Sequence, residues 1–200
     1  MTTHKLPSFF FDYKRGYEKE IFIDYFLSWT LRCAVDDIEE KKNSKINETV
    51  QQQSKYVLLN LLKYDEKFKG LTLSNTTIKS VETEKQWEQT DLFCVVDFMF
   101  DGEKHNCILV FENKMYSPLK AHQLRKYSKK VKKHSDKKNF EGYSILKFFI
   151  HSYPNFAEDE TKLYGFKPIH ISEISEELKM HTEKTGTGNA LFDEFWYNYI

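Results

Sequence analysis

Two acidic residues and a lysine stand at the ends of the two most strand-like segments of the chain. Asp91 opens the first segment, and Glu112 and Lys114 close the second. Carboxylate oxygens are the ligands that Mg²⁺ and Mn²⁺ prefer, whereas zinc normally recruits histidine or cysteine. A lysine beside such a pair can orient a water molecule or stabilise charge on a phosphate. These residue types therefore indicate a binding site for a divalent metal ion.

The turn between the segments predicts that these side chains meet. Asp101-Gly102 between two apolar runs is typical of a two-residue hairpin. In that hairpin Asp91 lies opposite Glu112, with Cβ atoms about 5 Å apart, and Lys114 shares their face. A four-residue turn keeps the arrangement, and a three-residue turn breaks it. Opposed carboxylates repel each other unless a cation lies between them. The structural alternative is that Asp91 caps a strand and Glu112 merely pairs with Lys114.

The spacing of Glu112 and Lys114 is not by itself evidence for a functional site. An acid two residues before a lysine occurs eight times in the chain, and only the copy at Glu112 ends an apolar strand whose hairpin partner begins with an acid. The context of the pattern therefore matters more than the pattern itself.

Hydrophobic periodicity predicts the elements that position these residues. Phe22, Tyr25 and Trp29 recur at helical spacing and mark the apolar face of a first helix. The segment 36–53 is polar and reads either as a connection or as an extension of a neighbouring helix. Both faces of the hairpin are apolar, so layers must cover the sheet on each side, which predicts an α/β sandwich. We expect helices over 17–33, 55–68, 119–133 and 173–181, and strands over 77–84, 91–100, 105–114, 145–151 and 167–171.

Charge is distributed unevenly in a chain whose net charge is zero. Residues 114–138 hold ten basic side chains and one acidic side chain. Such a segment attracts phosphates, or it is simply the solvated face of a helix. The candidate nucleic-acid contacts on the predicted helix are Arg125, Lys126, Lys129, Lys130, Lys132 and Lys133.

Composition narrows the class of protein. The 200 residues, 40% of them hydrophobic, suit a single domain with one core. No apolar stretch reaches the roughly 20 residues that cross a bilayer, and no export signal opens the chain, so we expect a cytoplasmic protein without a membrane partner. The three cysteines fit neither a disulfide framework nor a metal knuckle. Neither a serine-hydrolase elbow nor a phosphate-binding loop is present.

Three motifs together resemble the PD-(D/E)XK nuclease superfamily: Asp91 at a strand start, Glu112-Asn-Lys114 closing the next strand, and Gln123-Leu-Arg-Lys-Tyr127 on the following helix. The similarity is to the group that carries Glu-Asn-Lys followed by Gln-Leu-x-x-Tyr. Thr90 stands where proline precedes the aspartate in the named motif. The resemblance implies a restriction-endonuclease-like core, with a central mixed sheet of four to five strands flanked by helices in the order α-β-β-β-α-β. That core would span about 17–151 of a single domain, with 152–200 as a C-terminal extension.

The resemblance also implies a function and a set of roles. It implies a metal-dependent nuclease that hydrolyses phosphodiester bonds of nucleic acid, with DNA as the expected substrate. In such an enzyme Asp91, Glu112 and the carbonyl of Asn113 would hold Mg²⁺ or Mn²⁺. Lys114 would help to position the attacking water, and Gln123 would support the site.

The superfamily commonly adds a glutamate from the first helix near the metal. Glu20 fits best, seven residues before Leu27 and nine before Trp29, and Glu18 competes with it. Superfamily members often act as dimers, so a homodimer is among the expected assemblies. The alternative function is a catalytically inactive nuclease-like domain that binds nucleic acid or a protein partner.

Overall fold

A computed structural model describes residues 16–36, 48–115, 119, 122–137, 140–152, 158–181 and 186–200. Short 3₁₀ turns lie at Glu66–Phe68 and Trp87–Gln89, and the chain closes with a π-helical segment at Glu194–Tyr199. None of the helices in these ranges has the length and apolar character needed to span a membrane. The principal elements are α1 (Gly16–Cys33), α2 (Glu48–Leu62), β1 (Thr76–Lys85), β2 (Leu92–Phe100), β3 (Glu103–Lys114), α3 (Gln123–Lys137), β4 (Ser144–His151), α4 (Glu158–Leu163), β5 (Phe166–His170), α5 (Ile171–His181) and α6 (Ala190–Asp193).

A mixed five-stranded sheet forms the centre of the fold, in the order β1-β2-β3-β4-β5. The first three strands are antiparallel neighbours, and β4 and β5 continue parallel to β3. Helices flank this sheet, so the predicted restriction-endonuclease-like architecture is confirmed.

The hairpin between β2 and β3 has the predicted register. Phe100 pairs with Glu103, and the ladder runs to the pair of Leu92 with Phe111. Asp101 and Gly102 form the turn with φ of 50° and 85°. Positive φ at both central residues is the geometry that favours Asp-Gly in a two-residue turn. The turn therefore fixes which residues face each other at the far end of the hairpin.

Alternation along the hairpin divides the interior into layers. Leu92, Cys94 and Val96 belong to the larger core, together with residues of α1, α2 and α5. Phe93 and Val110 point the other way and pack with Val131 of α3. Because both faces are covered by helices, both sets of side chains are apolar.

The residues after β4 complete the larger core. Phe195 stacks on Phe26 of α1 with ring centroids 4.0 Å apart, and the fully buried Trp196 donates from Nε1 to the hydroxyl of Thr30 at 2.9 Å. Strand β5 extends the sheet beyond β4. The C-terminal segment thus holds α1 against the sheet, and α1 in turn carries acidic residues to the site.

Two helices differ by several residues from the predicted ones. The second helix runs over Glu48–Leu62 rather than 55–68, and Asp65 begins a separate 3₁₀ turn by accepting a hydrogen bond from Lys67 N. Of the ambiguous segment 36–53, the last six residues therefore extend the second helix, and 37–47 lie outside the described residues. The third helix begins at Gln123 rather than at 119, because His122 has a φ of 63°, outside the helical region.

The predicted apolar face of α1 was right for Phe22 and Trp29, which pack against the larger core, and wrong for Tyr25. Tyr25 is 54% exposed, whereas Ile23, Phe26 and Leu27 are buried. Apolar residues surround most of this helix, so periodicity alone did not select the side that packs. The selected side is the one that also carries Asp24 to the end of the sheet.

Candidate active site

The carboxyl end of β3 places a buried acid beside a lysine. Glu112 is 1% exposed, and its Oε1 lies 3.0 Å from Nζ of Lys114, two residues along the same face of the strand. Lys114 Nζ also donates to the carbonyl oxygen of Asn113 at 2.9 Å. The Glu112-Asn-Lys114 motif therefore forms a compact, internally bonded unit.

Asp91 joins this unit from the neighbouring strand. It lies immediately before β2, and its Oδ2 accepts a hydrogen bond from the backbone N of Asn113 at 2.6 Å. Regular pairing of β2 with β3 stops at Leu92 and Phe111, and the carboxylate bonds a backbone N–H of β3 two residues beyond Phe111. The predicted meeting of Asp91 with the Glu112 motif is thereby confirmed.

Helix α3 holds the glutamate from the opposite side. Gln123, the first helical residue, donates from Nε2 to Glu112 Oε1 and, at 2.8 Å, to the hydroxyl of Tyr127 one turn later. Leu124 and Tyr127 pack with Phe149 of β4, which fixes the start of the helix against the sheet. The Gln-Leu-x-x-Tyr motif thus combines one polar contact to the site with two packing contacts.

Helix α1 contributes the predicted glutamate. Glu20 Oε1 accepts from the backbone N of Met115 at 3.1 Å, and its Oε2 lies 3.7 Å from Nζ of Lys114. The side chain of Glu18 lies outside the described residues. Glu20 is therefore beside the motif, although its contacts are to the lysine and to the backbone.

Asp24 is a site residue that the sequence reasoning missed. It lies one helical turn after Glu20, is 8% exposed, and accepts a hydrogen bond from the side-chain amide of Asn113. The sequence did contain a signal for Asp24, because it lies four residues after Glu20 and among the apolar residues Ile23, Phe26 and Leu27. An acidic residue is rarely buried on an apolar helix face unless it has a partner. Asn113 is consequently bonded on its backbone N, its backbone O and its side chain.

His151 is a second residue that the sequence did not single out. It is the last residue of β4, pairs in register with Lys114, and is 5% exposed. Its ring stacks beside Phe149, on the α3 side of the sheet. The lysine of the motif therefore has an imidazole on the adjacent strand, and a strand-ending histidine gave no spacing signal in the sequence.

Burial and mutual repulsion shift the acids of this cluster. Burial, reinforced by the charge of Asp91, raises the pKa of Glu112 to about 8. Burial also raises the pKa of Asp91 despite the hydrogen bond from Asn113, and burial with the charge of Asp91 raises the pKa of Asp24. Burial alone would lower the pKa of Lys114, but Glu112, Asp91 and Glu20 together raise it to about 12. Lys114 is thus a cation at neutral pH, suited to donating hydrogen bonds.

The donor set of the cluster fits a divalent cation. Oε2 of Glu112 and Oδ1 of Asn113 are fully buried, and neither has a hydrogen-bond partner among the residues that the structure describes. An ionised carboxylate oxygen is costly in that state, and a cation would compensate it. The available ligands are oxygens, as Mg²⁺ and Mn²⁺ require. No three His, Cys, Asp or Glu side chains in the described ranges already form a metal-binding group. A divalent cation here would therefore depend on the carboxylates of Asp91 and Glu112, supplemented by the backbone carbonyl of Asn113.

The basic residues of α3 lie on the exposed side of the helix that carries Gln123. Arg125, Lys126 and Lys129 are exposed, as are Lys132 and Lys133. Lys130 is half-buried, and its Nζ donates to the Glu88 carbonyl at 2.7 Å and lies 3.2 Å from the Glu88 carboxylate. The predicted basic face is therefore present beside the site, with Lys130 held by a neighbour.

A family model describing the PD-(D/E)XK nuclease superfamily matches residues 5–196, nearly the whole chain. The chain belongs to the PD-(D/E)XK nuclease superfamily. No curated protein and no solved structure matches the chain significantly. PD-(D/E)XK nucleases usually use divalent metal ions, in agreement with the oxygen donors gathered here. Membership therefore accounts for the sheet, the helix order and the Glu112-Asn-Lys114 motif together.

Proposed function

We propose that the protein is a metal-dependent nuclease that hydrolyses phosphodiester bonds of nucleic acid, with DNA as the first expected substrate. The observation that carries this proposal is the pairing of Glu112 with Lys114 at 3.0 Å, while the second carboxylate oxygen of Glu112 is buried without a hydrogen-bond partner in the described part of the chain. A purely structural ion pair would gain nothing from an unpartnered oxygen, whereas a metal ligand needs one.

The ligands of the ion in this proposal are Asp91, Glu112 and the carbonyl oxygen of Asn113, with Glu20 as a further candidate. Mg²⁺ or Mn²⁺ bound there supplies Lewis-acid stabilisation and activation of water. Gln123 fixes the rotamer of Glu112 through its amide, so that one oxygen stays directed away from the helix. Asn113 is held by Asp91 and Asp24, which keeps the strand end rigid.

Lys114 has the role of a hydrogen-bond donor. Its raised pKa keeps the ammonium charged, so it orients the attacking water or contacts a phosphate oxygen rather than removing a proton. Its Nζ contacts both Glu112 Oε1 and the carbonyl oxygen of Asn113, and both of these residues are proposed ligands of the ion. The ammonium group is therefore held next to the proposed metal site. Removing the ammonium therefore affects the chemical step more than substrate binding.

Substrate is held, in this proposal, along the exposed basic side of α3. The contacts would come from Arg125, Lys126 and Lys129 near the site, and from Lys132 and Lys133 farther along the helix. Phosphate contacts of this kind position a nucleic acid without reading its sequence. Lys130 contributes less, because Glu88 already occupies it. The homodimer stays a prediction, which light scattering on the purified protein would test.

The test is a cleavage assay on labelled single-stranded and duplex DNA and on RNA, with Mg²⁺ or Mn²⁺ and with EDTA. We expect metal-dependent cleavage by the wild type and loss of most activity in Lys114→Met. Lys67→Met is the matched control, since Lys67 has the same spacing from Asp65 but is exposed in a turn. Equal activity of both variants would contradict the proposal. Nucleic-acid binding without any cleavage would favour the inactive nuclease-like domain instead.

A further inference from the structure

The helix that carries Glu20 and Asp24 to the site also presents an apolar strip to solvent. Ile21 and Tyr25 directly follow these acids in sequence, lie one helical turn apart, and are 49% and 54% exposed. Together these two side chains form an exposed apolar strip on one side of the helix, next to the acids of the site. The strip begins where α1 contacts the Glu112-Asn-Lys114 motif.

A lysine completes this strip at the strand end that bears Asp91. Nζ of Lys85, the last residue of β1, lies 2.8 Å from the centroid of the Tyr25 ring. Lys85 pairs with Leu92, the residue that follows Asp91, and Gln86 N donates to the Asp91 carbonyl at 2.9 Å. The aromatic ring and its cation are therefore anchored to the same strand end as the proposed metal ligand.

The two helices beside the site thus differ in chemistry. On the α3 side, Gln123 contacts Glu112 and is followed by exposed basic side chains. On the α1 side, the exposed side chains described next to Glu20 and Asp24 are Ile21 and Tyr25, and Lys85 lies against Tyr25. A duplex presents a charged, hydrated backbone on both of its strands, which gains little from an apolar wall. An unpaired nucleotide instead offers phosphate on one side and an apolar base face on the other, and such bases stack on aromatic rings.

We propose that Ile21, Tyr25 and Lys85 form a stacking platform for an unpaired base next to the scissile phosphodiester, so that single-stranded nucleic acid is the substrate class. In this arrangement the backbone follows α3, and the base packs on Ile21 and on the face of the Tyr25 ring that Lys85 does not cover. Lys85 is near enough to contact a phosphate or a base edge. The inference rests on the proposed nuclease function, because it places the platform beside that site.

The experiment measures binding of the full chain to fluorescent oligonucleotides in EDTA, where hydrolysis does not interfere. The probes are an oligothymidylate, the same length of oligouridylate, a blunt hairpin duplex, and a strand in which the central nucleotides are abasic. The variants are Tyr25→Ala, Tyr25→Trp and, as a control, Met180→Ala, since Met180 is 73% exposed on α5. Thermal unfolding of each variant verifies that it is folded.

We expect the wild type to bind the single strands more tightly than the duplex. Tyr25→Ala should weaken single-strand binding about tenfold, as for loss of one stacked base, and leave duplex binding almost unchanged. Tyr25→Trp should restore the affinity, and Met180→Ala should not alter it. The abasic strand should bind the wild type about as weakly as the normal strand binds Tyr25→Ala, with no further loss when both changes are combined. Comparison of the thymidylate with the uridylate distinguishes DNA from RNA.

Three results would overturn the platform. The first is equal single-strand affinity in Tyr25→Ala and the wild type, and the second is an equal loss for strand and duplex. The third is self-association of the wild type that Tyr25→Ala abolishes, which would make the strip a contact between protein copies. If Tyr25→Ala has no effect while Lys114→Met abolishes cleavage, the platform fails and the nuclease function stands. If the wild type neither binds nor cleaves any probe, the nuclease function fails and the platform fails with it.

Discussion

Replacement of Glu112 by glutamine tests the electrostatic reasoning at the centre of the site. The Glu112 side chain is 1% exposed, and burial with the nearby charge of Asp91 raises its pKa from 4.5 to about 8. The glutamine of Glu112→Gln has nearly the same shape, can still bond the Gln123 amide, and carries no charge. Any pH-dependent difference in stability between the two proteins therefore reports the cost of ionising this carboxyl group.

The sign of the effect follows from linkage. Below pH 4.5 the carboxyl is protonated in both the folded and the unfolded chain, so its stabilising contribution is intact. Between pH 4.5 and about 8 the Glu112 carboxyl ionises in the unfolded chain but stays protonated in the folded chain. The contribution of this group to the free energy of unfolding is therefore progressively lost as the pH rises. The difference between the two pKa values corresponds to an upper bound of about 5 kcal/mol in the free energy of unfolding. Loss of the ion pair with Lys114 offsets part of the gain from neutralisation.

We expect Glu112→Gln to raise the free energy of unfolding of the metal-free protein by about 2 kcal/mol above pH 8, which is roughly 4 to 8 °C in Tm. Near pH 5 the two proteins should differ little. Millimolar Mg²⁺ should raise the Tm of the wild type, increasingly so at higher pH, because binding requires the ionised carboxylates. The variant should respond much less to Mg²⁺.

The assay is thermal unfolding followed by circular dichroism from about pH 5 to about pH 9, with EDTA or with Mg²⁺. Glu66→Gln is the control, since the Glu66 side chain is 88% exposed and should give no pH-dependent difference. A Tm difference between Glu112→Gln and wild type that stays constant across this range would refute the electrostatic reasoning. Equal stabilisation of both proteins by Mg²⁺ would refute Glu112 as a ligand.

Three further predictions concern the elements around the site. Gln123→Met removes the hydrogen bond to the buried glutamate while keeping the packing, so kcat/KM for cleavage should fall about tenfold with little change in Tm; unchanged kinetics would show that this contact has no role. Replacing Lys132 and Lys133 with alanine should lower the slope of log affinity against log salt by about 0.7 to 0.9 per lysine, and Lys130→Ala should change it less; equal slopes in all variants would make the basic face unrelated to binding. Trp196→Ala should cost about 3 to 5 kcal/mol in urea unfolding, because it empties a fully buried position in the core; a cost below about 1 kcal/mol would contradict the structural role of the C-terminus.

The strands of the sheet, and the meeting of Asp91 with the Glu112-Asn-Lys114 motif at its edge, could be predicted from the sequence. Asp101-Gly102 specified the turn, and the turn specified the register that brings Asp91 to the end of β3. This inference succeeded because hairpin register is a local property of the chain, set by turn length and side-chain alternation. The Gln123 contact followed from the family motif and not from periodicity.

The contribution of α1 was only partly predictable. Glu20 came from the resemblance, but Asp24 and the orientation of the helix depend on long-range packing that no local pattern encodes. The buried side is selected by Phe195 and Trp196, about 170 residues later in the chain, which stack on Phe26 and bond Thr30. A helix that is apolar on most of its circumference gives several equivalent faces until its partners are known. The exposure of Tyr25 is a consequence of that choice.

The most direct test of the account is a calorimetric titration of Mn²⁺ into the metal-free wild type, Glu112→Gln and Asp91→Asn, with Glu66→Gln as the control. The account predicts saturable binding to the wild type and to the control, and binding at least tenfold weaker in each of the other two variants. Binding of equal strength in all four proteins would contradict the claim that Asp91 and Glu112 share one divalent cation at the end of β3.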